Sequence, residues 1–235
     1  LLQKMKTIGL IGGMSWKSTV TYYEVINRII NKKLGGLHSA KIILYSVDFH
    51  EIEECQRNGD WDKSARILSK VSKDLEGAGA DFVVICTNTM HKIATEIREQ
   101  ISIPLLHIAE ATAQELVKNN MKKVALLGTK YTMEQDFYKE KIIDKGIEIL
   151  IPNKEDIEEI NKIIFEELCL GKINPISKEK YLKIIEKLRD DGAQGVILGC
   201  TEIGLLIKSE DTTIPLFDTA LIHGEKAALL ALEEE

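Results

Sequence analysis

The chain of 235 residues predicts an α/β fold of two lobes related by a pseudo-twofold axis, each a parallel sheet flanked by helices. Three observations carry this. Short apolar runs alternate with amphipathic stretches of helical length. The short runs are apolar on both faces, as strands are when helices cover both sides of a parallel sheet. The sequence also repeats itself at a spacing of roughly 110 residues, which marks a duplicated unit.

In the first half, the β-branched runs 8–11, 42–47 and 82–85 read as strands, with helices at 18–31, 61–78 and 90–100. In the second, 124–127, 147–151 and 195–198 read as strands, with helices at 133–145, 156–168 and 178–190. The repeat aligns the two sets. "MKTIGLIGG" at 5–13 answers to "MKKVALLGT" at 121–129, and "GADFVVICTNT" at 79–89 to "GAQGVILGCTE" at 192–202. "IPLLHIAEATAQEL" at 103–116 answers to "IPLFDTALIHGEKA" at 214–227. Three matched segments in the same order are hard to obtain by chance. The lobes are expected at 5–102 with 206–235, and at 103–205, because the counterpart of the tail opens the second lobe.

Composition narrows the classes. A net charge of −6, with acids and bases interspersed, argues against a nucleic-acid surface, which needs a clustered basic face. No apolar run approaches the roughly 20 residues that cross a bilayer. The opening "LLQKMKTIGL" has only a short apolar lead before Lys4 and does not read as a secretory signal. Cysteines at 55, 86, 169 and 200 fit neither CxxC nor zinc spacing. Free thiols, a cytoplasmic location and no metal are expected.

In open parallel sheets, ligands lie beyond the carboxyl ends of the strands. Two facing lobes would bring two such ends, "CTNT" and "GCTE", to one cleft. Alignment on Gly79-Ala80 and Gly192-Ala193 pairs Cys86 with Gly199, and Thr87 with Cys200. Asn88 then pairs with Thr201, and Thr89 with Glu202. Successive strand side chains point to opposite faces, so Cys86 turns inward if Thr87 faces the cleft. Opposed groups suit inversion of a carbon centre, one removing a proton and the other returning it from the far side. A thiol, with a pKa of about 8.5, serves in either role after modest tuning. Helix starts beyond both strand ends would favour thiolate and bind a carboxylate. Asn88, Thr89, Thr201 and Glu202 then read as an anion cradle or as helix caps, and the two roles are compatible; Glu202 also reads as a group that orients a neighbour or meets the substrate's ammonium.

"GLIGGMSW", "CTNTMH", "YTMEQDFY" and "GCTEIG" resemble the aspartate/glutamate racemase family, which works without pyridoxal phosphate, from Met5 to the C-terminus. Within it they are most similar to the L-aspartate/glutamate-specific, or broad-specificity, amino-acid racemases. The resemblance implies two-base proton transfer on aspartate, glutamate or a related polar amino acid. It implies no cofactor, and as partners only the small substrate and, by analogy, a second copy in a homodimer. The family's two cysteine positions fall on Thr87 and Cys200. The resemblance also implies substrate contact by Met14, beside Ser15 in the "GGM" loop, and by Gln56. Read without it, Gly12-Gly13 only allow a tight turn, and Gln56 would suit an exposed helix. A basic residue for the substrate carboxylate would be Lys172 or Lys178, each otherwise a surface lysine.

A threonine hydroxyl is a far weaker acid than a thiol. Cys200 is therefore expected to act as base toward one enantiomer and Thr87 as proton donor on the opposite face. Two other readings stay open: a non-catalytic amino-acid binder, and a one-cysteine decarboxylase or cis–trans isomerase of small diacids. His38, His50, His91, His107 and His223 show no metal-ligand spacing and read as structural. "GLIGGMSWKST" lacks the glycines of a phosphate-binding or dinucleotide loop.

Overall fold

The computed structural model describes residues 5–233, so residues 1–4, weighed above as a leader, and the last two of the expected tail lie outside the described residues. The chain forms two compact units. One runs to His107 and resumes at His223; the other is Ile108–Ile222.

In the first unit, β1 (Ile8–Gly12) takes the centre of a three-stranded sheet, between β2 (Ile42–Ser46) and β3 (Phe82–Ile85). All pairings are parallel. β1 is buried along its whole length, and a Cβ at Gly9 would stand 2.9 Å from that of Ala80. The crossovers run through α1 (Trp16–Leu34), then α2 (Phe49–Asn58) and α3 (Trp61–Gly77). The apolarity of β2 suggested cover on both faces. It is instead an edge strand whose Leu44 and Tyr45 are 44% and 39% exposed.

The extent and buried face of α2 were not foreseen, although Gln56 was read as suiting a helix, because Glu51, Glu53 and Glu54 interrupt its apolar pattern. Ile52, Cys55 and Gln56, at i, i+3 and i+4, nevertheless make a buried face. The Asp48 side chain caps its start by accepting from the His50 amide. Gly59, at φ 70°, ends it in the left-handed region. The helix expected at 90–100 is divided into a 3-10 turn, Thr89–Ile93, and α4 (Ala94–Arg98).

The second unit opens with α5 (Ile108–Lys118) and builds a four-stranded parallel sheet in the order β5-β4-β6-β7. Its strands are β4 (Lys123–Gly128), β5 (Glu148–Leu150), β6 (Val196–Gly199) and β7 (Leu216–Asp218). The helix expected at 133–145 breaks at Gln135, whose ψ of 158° is extended, into α6 (Lys130–Glu134) and α7 (Asp136–Ile143). Next come α8 (Lys154–Glu166) and α9 (Pro175–Asp190), then α10 (Ile203–Leu206) and α11 (Thr219–Leu232). Because β7 pairs with β6, residues 206–222 stay with the second unit. The first lobe was expected to take them. The chain re-enters the first unit only at His223, inside α11.

The two sheets share one local register. Ile11 pairs with Ile85 across β1 and β3, and their counterparts Leu127 and Leu198 pair across β4 and β6. Thr87 and Cys200 each stand two residues past that rung. Among the described residues no helix is long and apolar enough to cross a membrane.

Candidate active site

At the end of β1 the chain turns through Gly13, whose φ of 94° lies where side chains are strained. The Gly13 amide donates to Thr19 Oγ1 at 2.9 Å. Thr19 Oγ1 and Ser18 Oγ donate in turn to the Ser15 carbonyl at 3.0 and 3.1 Å. This latch fixes Met14 and Ser15, both buried. Gln56 is also buried rather than on an exposed helix face, and its Nε2 reaches Met90 Sδ at 3.0 Å.

At the end of β3, Cys86 is 1% exposed, and burial raises its thiol pKa far above the ordinary value. It is a core residue in a protonated state. Thr87 keeps 9% of its surface, while Asn88 and Thr89 are more deeply buried. Asn88 sits at the N-cap position of the 3-10 turn, but its side chain makes no capping bond. The Thr87 carbonyl is 2.7 Å from His91 Nδ1.

At the end of β6, the glycine pair 128 and 199 lets the strands approach closely; a Cβ on Gly128 would stand 2.8 Å from the Gly199 oxygen. Cys200 follows, 7% exposed. Its Sγ donates to Glu202 Oε2 at 3.1 Å, and Thr201 Oγ1 donates to the same oxygen at 2.9 Å. Glu202 is 2% exposed and its side chain does not cap α10. Its Oε2 thus accepts from Cys200 and Thr201, and no side-chain cap forms at the start of α10.

The sequence suggested that helix dipoles would favour a thiolate at these ends. The elements that follow are only five and four residues long. Burial instead pushes the Cys200 thiol well up, and the Glu202 side chain nearby pushes it in the same direction. At rest the sulfur is a thiol hydrogen-bonded to a carboxylate.

The lysine candidates fare differently. Lys178 Nζ is 2.7 Å from Asp211 Oδ1, so its charge already has a partner. Lys172 is exposed in the turn after Leu168–Leu170. Among the described residues no group of three or more histidine, cysteine or acidic side chains has the geometry to hold a metal.

Two neighbourhoods were missed in the sequence. Cys169 and the buried Tyr181 lie within electrostatic reach of Cys200, yet neither motif spacing nor the repeat marks them. His91, His107 and His223 gather in the first unit, with ring centroids 4.5 Å apart for His91–His107 and 5.7 Å for His91–His223. The signal available was only "TMH", which places His91 four residues after Thr87.

The model of the Asp/Glu/hydantoin racemase family matches residues 11–227. A solved structure of a Yersinia pestis protein, assigned as an Asp/Glu racemase, is 53% identical with a TM-score of 0.90, covering 97% of this chain and 100% of that one. An aspartate racemase homologue from Pyrococcus horikoshii is 40% identical with a TM-score of 0.84, at the same coverage. The broad-specificity amino-acid racemase RacX of Bacillus subtilis is 25% identical over 221 residues, 91% of this chain and 92% of its own length.

Proposed function

The chain belongs to the Asp/Glu/hydantoin racemase family, and from that premise we propose that it inverts the α-carbon of aspartate, glutamate or a related polar amino acid. The reaction uses neither pyridoxal phosphate nor a metal. Cys200 and Thr87 act on opposite faces of the carbon, and Met14, Gln56, Asn88, Thr89 and Thr201 contact the substrate. The observation that carries the reading is the bond from the Cys200 thiol to the buried Glu202 carboxylate.

The steps balance as follows. Cys200 passes its proton to Glu202, and the thiolate removes the α-proton. The electron pair left on carbon spreads into the substrate carboxylate, where amides of the two strand ends stabilise it. Thr87 gives its hydroxyl proton to the far face. Its oxygen is reprotonated through solvent by the equivalent that Glu202 releases. Proton transfer by a placed side chain contributes typically about 10²–10⁴-fold.

Incubation with L-aspartate, L-glutamate and L-homoserine, followed by separation of enantiomers, tests the proposal. D-product from the native protein and none from Cys200→Ala supports it; no inversion of any of the three sinks it. Thr87 in place of a thiol favours one further reading, a one-cysteine reaction on the same scaffold. That would appear as loss of the α-proton or of carbon dioxide without inversion.

A homodimer and a cytoplasmic location, with neither nucleic acid nor membrane as partner, belong to the same proposal. Trp16, Val20 and Tyr23, exposed at i, i+4 and i+7 of α1, support the first. The free cysteines support the second.

A further inference from the structure

We propose that His91 is the positioning residue for Thr87, fixing the carbonyl and hence the hydroxyl of that residue through a single neutral tautomer. The inference rests on the reading of Thr87 as the second proton-transfer group. A carbonyl oxygen has no proton to give, so at 2.7 Å the His91 Nδ1 must carry one and donate it. The backbone amide of His91 bonds to Asn88 O at 3.0 Å, one residue later. One residue thereby ties down two successive carbonyls just where β3 ends.

The ring is itself held. His107 packs on it at 4.5 Å and His223 meets it edge-on at 5.7 Å. The orientation of His223 is set by two more bonds. Its Nε2 donates to the Leu106 carbonyl at 2.7 Å, which leaves Nδ1 to accept from the Tyr22 hydroxyl at 2.7 Å. Burial keeps both His91 and His223 neutral. The first unit thus carries a chain of fixed rings from Tyr22 on α1 through His223 on α11 to His91, ending on the Thr87 carbonyl. Tyr22, His223 and His91 have no proton-transfer step of their own in this proposal. Its product is the placement of one hydroxyl.

Placement has a readout that general damage does not share. In heavy water, the carbanion formed by Cys200 partitions between return from the same face, giving exchange with retention, and delivery from Thr87, giving inversion. A displaced hydroxyl moves that ratio, whereas fewer folded molecules lower both rates together. His91→Asn keeps a donor near the Nδ1 position, and His91→Leu and His91→Phe remove it. His91→Asn is expected to hold the exchange-to-inversion ratio within about two-fold of the native value. His91→Leu and His91→Phe are expected to raise it about ten-fold or more for the enantiomer that Cys200 deprotonates. An unchanged ratio in a folded donorless variant overturns the proposal.

If neither donorless variant folds, nitrogen-15 spectra of the native protein decide. A neutral Nδ1–H ring for His91 at pH 7 supports the proposal, and an Nε2–H or charged ring refutes it. Native protein that exchanges no α-proton from any of the three amino acids removes the reading of Thr87, and this inference falls with it. Normal native exchange and inversion with an unmoved ratio in the variants removes the inference alone.

Discussion

The two strand ends began as copies and are now held by opposite means. Beyond β6, a thiol leans on a buried carboxylate, with Cys200 Sγ and Thr201 Oγ1 both bonded to Glu202 Oε2. Beyond β3, a hydroxyl residue is held through its backbone by an uncharged imidazole. The register leading to each end is the same, so the strands supply placement and the next few residues supply chemistry. In the proposed reaction a base needs somewhere to send its proton, and the Glu202 oxygen bonded to Cys200 Sγ is the acceptor proposed for it. The donor proposed at Thr87 needs only a fixed position, and the histidine chain is proposed to supply it through the Thr87 carbonyl. The comparison teaches that one duplicated framework can carry two unlike proton-transfer groups.

Acid should separate the two ends most strongly. Burial holds His223 down to about 4, against 6.5 for the free ring, and drives His91 in the same direction. The unfolded chain therefore takes up protons first as pH falls. The stability contributed by neutral His223 is fully present above pH 6.5 and drains away between 6.5 and about 4. The loss should reach on the order of 3 kcal/mol, measured by denaturant unfolding at several pH values. A flat stability across that window would break the account of the first unit.

Glu202→Gln tests the other end. Removing the charge should move the pH profile of Cys200 alkylation downward, since Glu202 raises that thiol. Turnover should nevertheless fall by about 100-fold, because the proton acceptor is gone. Unchanged or faster turnover would mean that Glu202 only crowds the thiolate. Thr87→Cys makes the ends alike. It should raise kcat/KM by about ten-fold, and by the same factor for both enantiomers, because their equilibrium constant is one. No gain in either direction would show that Thr87 does not limit the reaction. Cys86→Ala carries the smallest effect. It should cost about 1 kcal/mol of stability and leave turnover unchanged, separating the buried thiol from its neighbour.

Much of the second end was legible in the sequence. The repeat paired Thr87 with Cys200, and the apolar runs marked β1, β3, β4 and β6, because a fully buried strand must be apolar on both faces. Elements that mix signals were lost. The acids of α2 hid the burial of Gln56, and three-residue β7 was too short to register as a strand. The partners of Lys178 and His91 were invisible for another reason. Asp211 lies 33 residues from Lys178 and His223 lies 132 from His91, and only folding joins them.

The central claim is that sulfur and hydroxyl address opposite sides of one carbon, and replacing the hydroxyl by an isosteric methyl interrogates it directly. Thr87→Val, incubated with each enantiomer of a turned-over substrate in heavy water, should still exchange the α-proton of one enantiomer with retention while inverting neither. Inversion at the native rate in that variant would contradict the account.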